Sequence, residues 1–307
     1  MVSTTTGSMS SNPRGNAPRD HHFIPVFYLK QWVNPVSKKL IEYSIKHGKF
    51  IAKPVGPRGT GFETDLYSFP ELPPNLAQYV EAEFFKFADD KAAIALQKHL
   101  RGETGGWTNE LISAWSRFLI GMHLRHPDAM KELRPAAVSI WKNSGPKFQE
   151  QYEAIRKPED PPTFDEKLQT LDPLIAIKMQ ANLIIKTFDN ETLGEHINKA
   201  RWAVIGVPGP HPLLTSDRPL AIYRLSRPEG FVALPISPSK LFIAANDDKT
   251  IAELNGVSAK EVMQRINVFT VSRARRYVYA IDRSQDRFVL NRMSTDMEPT
   301  PLFPGIG

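Results

Sequence analysis

The chain contains no cysteine among its 307 residues. It therefore has no disulfide bond, no thiolate nucleophile and no cysteine-ligated metal, which is typical of a protein in a reducing compartment. No apolar run reaches the roughly 18 residues of a membrane-spanning helix. Residues 1–19 are rich in Ser, Thr, Asn, Pro and Gly and have no apolar stretch of the signal-peptide type. We therefore expect a cytoplasmic protein with a disordered N-terminal arm.

The fingerprints of several enzyme classes are also missing. The chain has no G-x-G-x-x-G dinucleotide motif, no phosphate-binding P-loop, no G-x-S-x-G nucleophile elbow and no H-E-x-x-H zinc motif. Basic residues are in mild excess, because 39 Lys and Arg residues against 33 Asp and Glu residues give a net charge of +6. This balance permits an anionic partner such as nucleic acid, although a mild cationic excess also serves solubility.

The order of the secondary-structure signals predicts an α+β fold. Two β-prone runs, residues 40–45 and 49–52, flank a turn at Lys46-His47-Gly48 and predict a hairpin. From residue 75 to residue 200 the composition is helical. Short apolar runs separated by Pro, Gly and Ser then predict strands at residues 202–207, 220–224, 231–236, 241–245 and 276–281. We expect a central helical bundle packed against a mostly antiparallel sheet built from the N-terminal hairpin and the C-terminal strands.

Capping residues mark the start of two helices within this plan. Thr108 is an N-cap candidate, and the capping box Ser258-x-x-Glu261 opens a later helix. No long linker divides the middle of the chain. We therefore expect a single α+β domain over residues 20–293, preceded by the disordered arm 1–19 and followed by a loose, Pro-rich tail at residues 294–307.

Two of the expected helices carry a charged side chain on an apolar stripe. In the helix expected over residues 75–100, Glu83 lies in the middle of an apolar face that includes Phe87, with Asp90 on the same line. A second apolar row on the other side predicts a helix buried on two sides; it consists of Phe85, Ala88, Ala92 and Leu96. Arg125 ends the apolar row of the next helix and also points inward. Because a buried charge needs a partner, a Glu83–Arg125 ion pair is one interpretation. The other is that Arg125 binds a phosphate or carboxylate with its planar fork.

A histidine pair and a lone aspartate supply further candidate site residues. His21 and His22 precede an aromatic segment, residues 23–32, that predicts a packed N-terminal anchor. The functional alternative makes one imidazole a metal ligand or a general base. Asp217 stands where the apolar pattern that follows strand 202–207 breaks into a Pro-terminated turn, a common position for chemistry.

A short C-terminal span combines arginine with tyrosine. The pattern predicts a nucleic-acid-binding surface, in which positive charge contacts phosphates and aromatic rings stack on bases. The alternative interpretation is an edge strand that charge keeps in solvent. The residues concerned are Arg273, Arg275, Arg276, Tyr277 and Tyr279.

Several motifs occur in the order of a known family. Along the chain they are His21-His22-x-x-Pro25-x-x-Tyr28-Leu29, Asp65-Leu66-Tyr67, Arg125-His126-Pro127, Thr215-Ser216-Asp217-Arg218-Pro219 and Leu234-Pro235-Ile236-Ser237-Pro238. This series resembles the bacterial family catalogued as domain of unknown function 4238. The resemblance implies no activity, but it implies that His21 or His22, Glu83, Arg125 and Asp217 occupy the family's polar motif positions. At Arg218 the family often has Asn, which weakens a role for that side chain.

Two functional hypotheses of different class follow. The first is a hydrolase, a nuclease or phosphodiesterase, with a catalytic set of His21, His22, Glu83, Arg125 and Asp217. In it, His22, Glu83 and Asp217 hold a divalent metal, or an imidazole acts as base, while Arg125 stabilises phosphate charge. The second is a non-catalytic module that binds nucleic acid or protein, with the same residues forming a buried structural network. The sequence leaves the oligomeric state and the substrate open.

Overall fold

The computed structural model describes residues 19–73, residue 77 and residues 85–295. Most of the expected N-terminal arm, most of the expected tail and the first part of the helix expected from residue 75, with Glu83, lie outside the described residues. Across the described part of the chain, no helix combines the length and the apolarity needed to cross a membrane.

The N-terminal region contains the expected hairpin. Its turn is formed by His47 and Gly48, whose φ values of 50° and 73° give the left-handed backbone that a two-residue hairpin turn needs. A shorter antiparallel pair, β1 with β4, lies beside it and places His21 opposite Glu63. The elements are β1 (Asp20–His22), α1 (Val26–Leu29) with a 3₁₀ turn (Lys30–Trp32), β2 (Leu40–Lys46), β3 (Lys49–Val55) and β4 (Phe62–Thr64).

The middle of the chain is helical, as expected. The Thr108 side chain accepts a hydrogen bond from the Leu111 N–H at 3.3 Å, which confirms it as an N-cap. The helices are α2 (Lys86–Arg101), α3 (Asn109–Leu124), α4 (Pro127–Glu153), α5 (Phe164–Leu171), α6 (Ile175–Phe188) and α7 (Glu191–Lys199).

The C-terminal third contains the remaining strands. Ser258 caps its helix through the Glu261 N–H at 3.3 Å, as the capping box predicts. The elements are β5 (Arg201–Gly206), β6 (Thr215–Ser216), β7 (Ala221–Tyr223), β8 (Phe231–Ser237), β9 (Lys240–Ala245), α8 (Asp248–Gly256), α9 (Ala259–Ser272), β10 (Val278–Ala280) and α10 (Asp286–Leu290).

The α+β class is confirmed, and the strands of the described residues divide into three antiparallel sheets. One sheet is the β1–β4 pair. The second has the order β3-β2-β10-β6, so the hairpin pairs with a C-terminal strand. The third, β5-β9-β8-β7, contains C-terminal strands only. The physical basis of the separation is local pairing: β7, β8 and β9 follow one another through short connections and need no strand from the N-terminus.

The aromatic segment after His22 holds the sheets together, which confirms its interpretation as a packed anchor. Tyr28 and Trp32 are fully buried. The Tyr28 hydroxyl lies 2.7 Å from Thr215 Oγ1 and donates to the Pro235 carbonyl at 2.7 Å. Trp32 Nε1 donates to the Leu213 carbonyl at 2.9 Å. Because Thr215 belongs to β6 and Pro235 to β8, one tyrosine bridges two sheets.

Two glycines should respond oppositely to alanine. A Cβ at Gly230 would lie 2.8 Å from Asn246 Nδ2 and would also clash with the Arg224 carbonyl, whereas Gly256 at the end of α8 has open space around it. We expect Gly230→Ala to lower the free energy of unfolding by about 1–3 kcal/mol. Gly256→Ala should raise it by about 0.5–1 kcal/mol, because alanine is the better helix former. Urea unfolding measures both values, and equal effects would contradict this packing of the β7–β8 loop.

Candidate functional site

Arg125 lies at the C-terminus of α3 with its side chain only 2% exposed. Its guanidinium forms a two-pronged ion pair with Asp89 of α2, with Nη1 2.9 Å from Oδ2 and Nη2 2.7 Å from Oδ1. The ring of Phe85 lies under it, 4.0 Å from the guanidinium carbon. Gly121, one turn earlier, leaves the necessary room, since a Cβ there would lie 2.8 Å from Arg125 Nε. The inward orientation predicted for Arg125 is therefore confirmed.

Among the described residues, the carboxylate that pairs with Arg125 is that of Asp89. The sequence pattern had instead placed Glu83 and Asp90 on the helix face expected to point inward. Glu83 lies outside the described residues, so the Glu83–Arg125 pair stays a prediction. Asp90 is exposed and Phe87 is 59% exposed, which contradicts burial of the first apolar face in this part of the helix. The second row is confirmed, because Phe85, Ala88, Ala92 and Leu96 are all buried, and its small side chains let α2 approach α3 closely.

The two adjacent histidines have different environments. His21 is fully buried; its Nδ1 accepts the Tyr67 N–H at 2.9 Å, and its ring stacks on that of Tyr67 with centroids 5.5 Å apart. The Tyr67 hydroxyl in turn donates to the Arg125 carbonyl at 2.8 Å. His22 is half-buried, with Nε2 3.3 Å from the Arg58 carbonyl, and burial lowers its pKa. His21, Tyr67, Arg125 and Asp89 thus form one inner network.

Asp217 is buried after β6 and serves as an acceptor for backbone N–H groups. Its carboxylate accepts from the N–H of Arg275 at 3.1 Å, of Arg276 at 2.9 Å and of Tyr277 at 3.5 Å. Burial raises the pKa of Asp217 to about 6, while these N–H groups and the charge of Arg218 act in the opposite direction. The carboxylate therefore fixes the turn at residues 275–277.

A basic cluster lies next to this turn, and we define it as His123, His126, Arg218, Arg273 and Arg276. Burial of the His126 ring lowers its pKa to about 4, and the positive charges of Arg218, His123 and Arg276 act in the same direction. His123 lies in the last turn of α3 and is exposed. The contacts of Arg218 with His126 and of Asp217 with the Arg276 N–H bring Arg218, Arg276 and His126 together from three separate segments of the chain.

Two carboxylates hold arginines of the basic cluster in place. Arg218 Nη2 lies 2.7 Å from Asp128 Oδ2 and 3.5 Å from His126 Nδ1, and Arg276 Nη1 lies 2.7 Å from Glu63 Oε2. The side chains of Arg218 and Arg276 are 24% and 33% exposed. Arg218 carried little weight in the prediction from sequence, and the two histidines were not among the predicted site residues. The signal in the sequence that could have indicated His126 is its capping position, since His126 is the N-cap of α4.

The predicted tyrosine and arginine surface is only partly exposed. Arg275 is exposed, Arg276 and Tyr277 are half-buried, and Tyr277 stacks on Phe23 with centroids 6.5 Å apart. Tyr279 is fully buried with its hydroxyl 2.9 Å from Thr60 Oγ1, so its expected exposure is contradicted. The edge-strand interpretation is wrong as well, because β10 lies between β2 and β6.

The predicted metal set of His22, Glu83 and Asp217 is not assembled from described residues. Among residues 19–73, 77 and 85–295, no group of three or more His, Asp or Glu side chains is arranged to hold a metal ion. Asp217 directs both carboxylate oxygens at backbone N–H groups. Glu83 lies outside the described residues, so the divalent metal stays a prediction.

Comparison with known proteins gives one match. The family model described as a protein of unknown function (DUF4238) matches residues 20–284. No curated protein matches the chain, and no solved structure does.

Two neighbouring aspartates test the role of the ion pair. Asp89→Asn leaves the buried guanidinium without its carboxylate, so we expect a loss on the order of 3 kcal/mol in the free energy of unfolding. Asp90→Asn, one residue along α2 but exposed, should change it by less than about 0.5 kcal/mol. Urea unfolding of both variants makes the comparison. Similar small losses would mean that the ion pair contributes little to stability.

His126 should make the fold sensitive to acid. Its pKa is about 4 in the folded protein against 6.5 for an ordinary histidine, so its contribution is complete above pH 6.5 and is lost as the pH falls toward 4. His126→Asn keeps an N-cap acceptor without titrating. As the pH falls from 6.5 toward 4, we expect the melting temperature of the variant to decrease less than that of the wild type. His99 and Asp217 titrate in both proteins, so the difference between their curves of melting temperature against pH isolates His126. Parallel curves would contradict the assignment.

Proposed function

This chain belongs to the family of proteins of unknown function DUF4238, whose description assigns no activity, and we propose that its basic cluster binds the phosphate groups of nucleic acid. The observation that carries this proposal is that Arg218 and Arg276, 24% and 33% exposed, are brought together from two distant segments: Arg218 lies 3.5 Å from His126, and Asp217, next to Arg218, accepts the Arg276 N–H. Phosphates are the ligands that a group of guanidinium forks suits best.

The ion pairs of the cluster support a binding role. Asp128 and Glu63 orient Arg218 and Arg276 by one hydrogen bond each, and both carboxylates are 41% exposed. Exposed pairs of this kind are weak, so a phosphate can replace the carboxylate at little cost. The arginines are therefore held near their binding positions without being permanently neutralised.

Asp217 supports the same proposal indirectly. Because its carboxylate accepts the N–H groups of Arg275 and Arg276, it determines the backbone from which both side chains project. Tyr277 is the half-buried ring next to them, whereas Tyr279 is buried. Fewer rings than expected are available for bases, so we propose recognition of the phosphate backbone with little base preference.

A hydrolase, a nuclease or phosphodiesterase, is the second candidate. The observation that favours it is His126, whose neutral ring lies 3.5 Å from Arg218. Its Nδ1 accepts the Ala129 N–H, so the proton of the neutral ring is on Nε2. An imidazole beside phosphate-binding arginines can move a proton during phosphodiester cleavage. This candidate includes a divalent metal held with Glu83. For both candidates we propose a cytoplasmic location.

Titration with fluorescein-labelled single-stranded RNA and DNA tests binding. We expect the double variant Arg218→Gln/Arg276→Gln to bind at least about tenfold more weakly than the wild type. The slope of log affinity against log salt should fall by about 0.7 for each phosphate that the variant no longer binds. Arg201→Gln is the matched control, since Arg201 is 61% exposed and also paired with a carboxylate, that of Asp248. If it weakens binding equally, the cluster is not the binding surface.

The hydrolase candidate has a separate readout. The same oligonucleotides are incubated with wild type, His126→Asn and Asp217→Asn, with and without Mg²⁺ or Mn²⁺, and resolved on a denaturing gel. Cleavage by the wild type that disappears in His126→Asn would support hydrolysis. If the protein binds the oligonucleotides but leaves them intact under every condition, the nuclease hypothesis is rejected and the binding-module hypothesis remains.

A further inference from the structure

A cleft lies away from the basic cluster, at the C-terminus of α2. The cleft has a volume of about 410 Å³, which is within the range of small-molecule sites. It is formed by the end of α2, the loop that follows, and parts of α3, α7 and β5. The side chains that matter for its chemistry are Lys98, His99, Glu103, Trp107, Asn198 and Trp202.

The walls of the cleft are aromatic and rigid. The rings of Trp107 and Trp202 meet edge to face with centroids 5.7 Å apart, and the His99 ring lies 4.7 Å from Trp107. Both indole N–H groups are already bonded, Trp107 to the Glu103 carbonyl at 2.9 Å and Trp202 to the Ile197 carbonyl at 2.8 Å. The two indoles are half-buried, so they offer ring surface and need no polar partner.

Two polar atoms on residues of the cleft lack a hydrogen bond. His99 Nε2 and Asn198 Oδ1 are buried, and neither bonds to any residue that the structure describes. Burial lowers the pKa of His99 to about 4, so the ring is neutral at physiological pH. A buried polar atom without a hydrogen bond destabilises the folded protein. Both residues line the same cleft.

The charges at the rim of the cleft are paired. Lys98 Nζ lies 2.9 Å from Glu103 Oε2 and 5.8 Å from the centre of the Trp107 ring, and Arg101 Nη1 lies 3.3 Å from Glu103 Oε1. Gly102 ends α2 with a φ of 69°, and its N–H bonds back to the His99 carbonyl at 3.2 Å, which turns the chain so that Glu103 faces Lys98. Because each of these three charges already has a partner, the rim does not require an ionic ligand.

We propose that this cleft binds a neutral, planar heteroaromatic molecule of nucleobase size. Its ring stacks on one of the Trp107 and Trp202 indoles and meets the other edge to face, since the two are nearly perpendicular, and its N–H donates to Asn198 Oδ1. An aliphatic ligand would fill the volume but would leave both polar atoms unsatisfied. A flat heterocycle offers ring faces and in-plane donors and acceptors together. The site is independent of the nucleic-acid binding proposed for the basic cluster.

The indole N–H signals of the five tryptophans provide the test. Adenosine, guanosine, cytidine and uridine are titrated separately into the ¹⁵N-labelled full-length protein. We expect at least one of them to shift the signals of Trp107 and Trp202, which Trp107→Phe and Trp202→Phe assign. Asn198→Leu should weaken that nucleoside by about tenfold, the value of one buried hydrogen bond. Trp141→Phe, which removes an indole that packs on Phe148 elsewhere, should leave affinity unchanged.

Three results would overturn the proposal. If all four nucleosides leave the Trp107 and Trp202 signals in place, the cleft is not a nucleobase site. Naphthalene that binds as tightly as the best nucleoside, with no effect of Asn198→Leu, rejects the hydrogen-bonded ligand. If nucleosides no longer shift the Trp107 and Trp202 signals in the double variant Arg218→Gln/Arg276→Gln, the separate site is rejected and the binding is assigned to the basic cluster. The melting temperature of Asn198→Leu confirms that this variant folds.

Discussion

The guanidinium of Arg125 is the charge around which the middle of this protein is arranged. A buried arginine requires a carboxylate and a polar surround, since an unpaired charge in the interior is costly. Asp89 supplies the carboxylate from α2, and Gly121 leaves room for the side chain. Through the Arg125 carbonyl the same residue is linked to Tyr67, and through Tyr67 to His21. Arg125 thus joins α2 to α3 through its guanidinium and the helices to the N-terminal segment through its carbonyl.

The junction that buries Arg125 also builds the surface site. α3 ends at Leu124 and α4 begins at Pro127, so Arg125 and His126 project from a break between two helices. His126 and Asp128 meet Arg218 on the outer side of the break. Asp217, one residue before Arg218, fixes the turn that carries Arg276. The motif residues with buried side chains therefore organise the fold, and their immediate neighbours carry the accessible chemistry.

Local signals in the sequence were sufficient for the hairpin, the two helix caps and the inward orientation of Arg125. Each of these depends on neighbours within a few residues or on a helical period. The sequence pattern predicted two buried rows on α2, but only the row with Ala88 and Ala92 is buried, and the row with Phe87 is exposed. The alanines are buried against α3 because their small side chains let α2 and α3 come close together. Tyr279 was misjudged for a related reason, since nothing near it in the chain indicates that β10 lies between two other strands.

The sequence by itself determined the α+β class, the order of the elements, the positions of their caps and the set of polar motif residues. These follow from residue type and short-range periodicity. The tertiary structure alone decided that Asp89 neutralises Arg125, that Asp217 accepts backbone N–H groups, and that Arg218 and Arg276 share a surface with His126. It also decided that His99 and Asn198 line one aromatic cleft. The physical reason is separation along the chain: these contacts join segments tens to hundreds of residues apart, where no local pattern carries information about the partner.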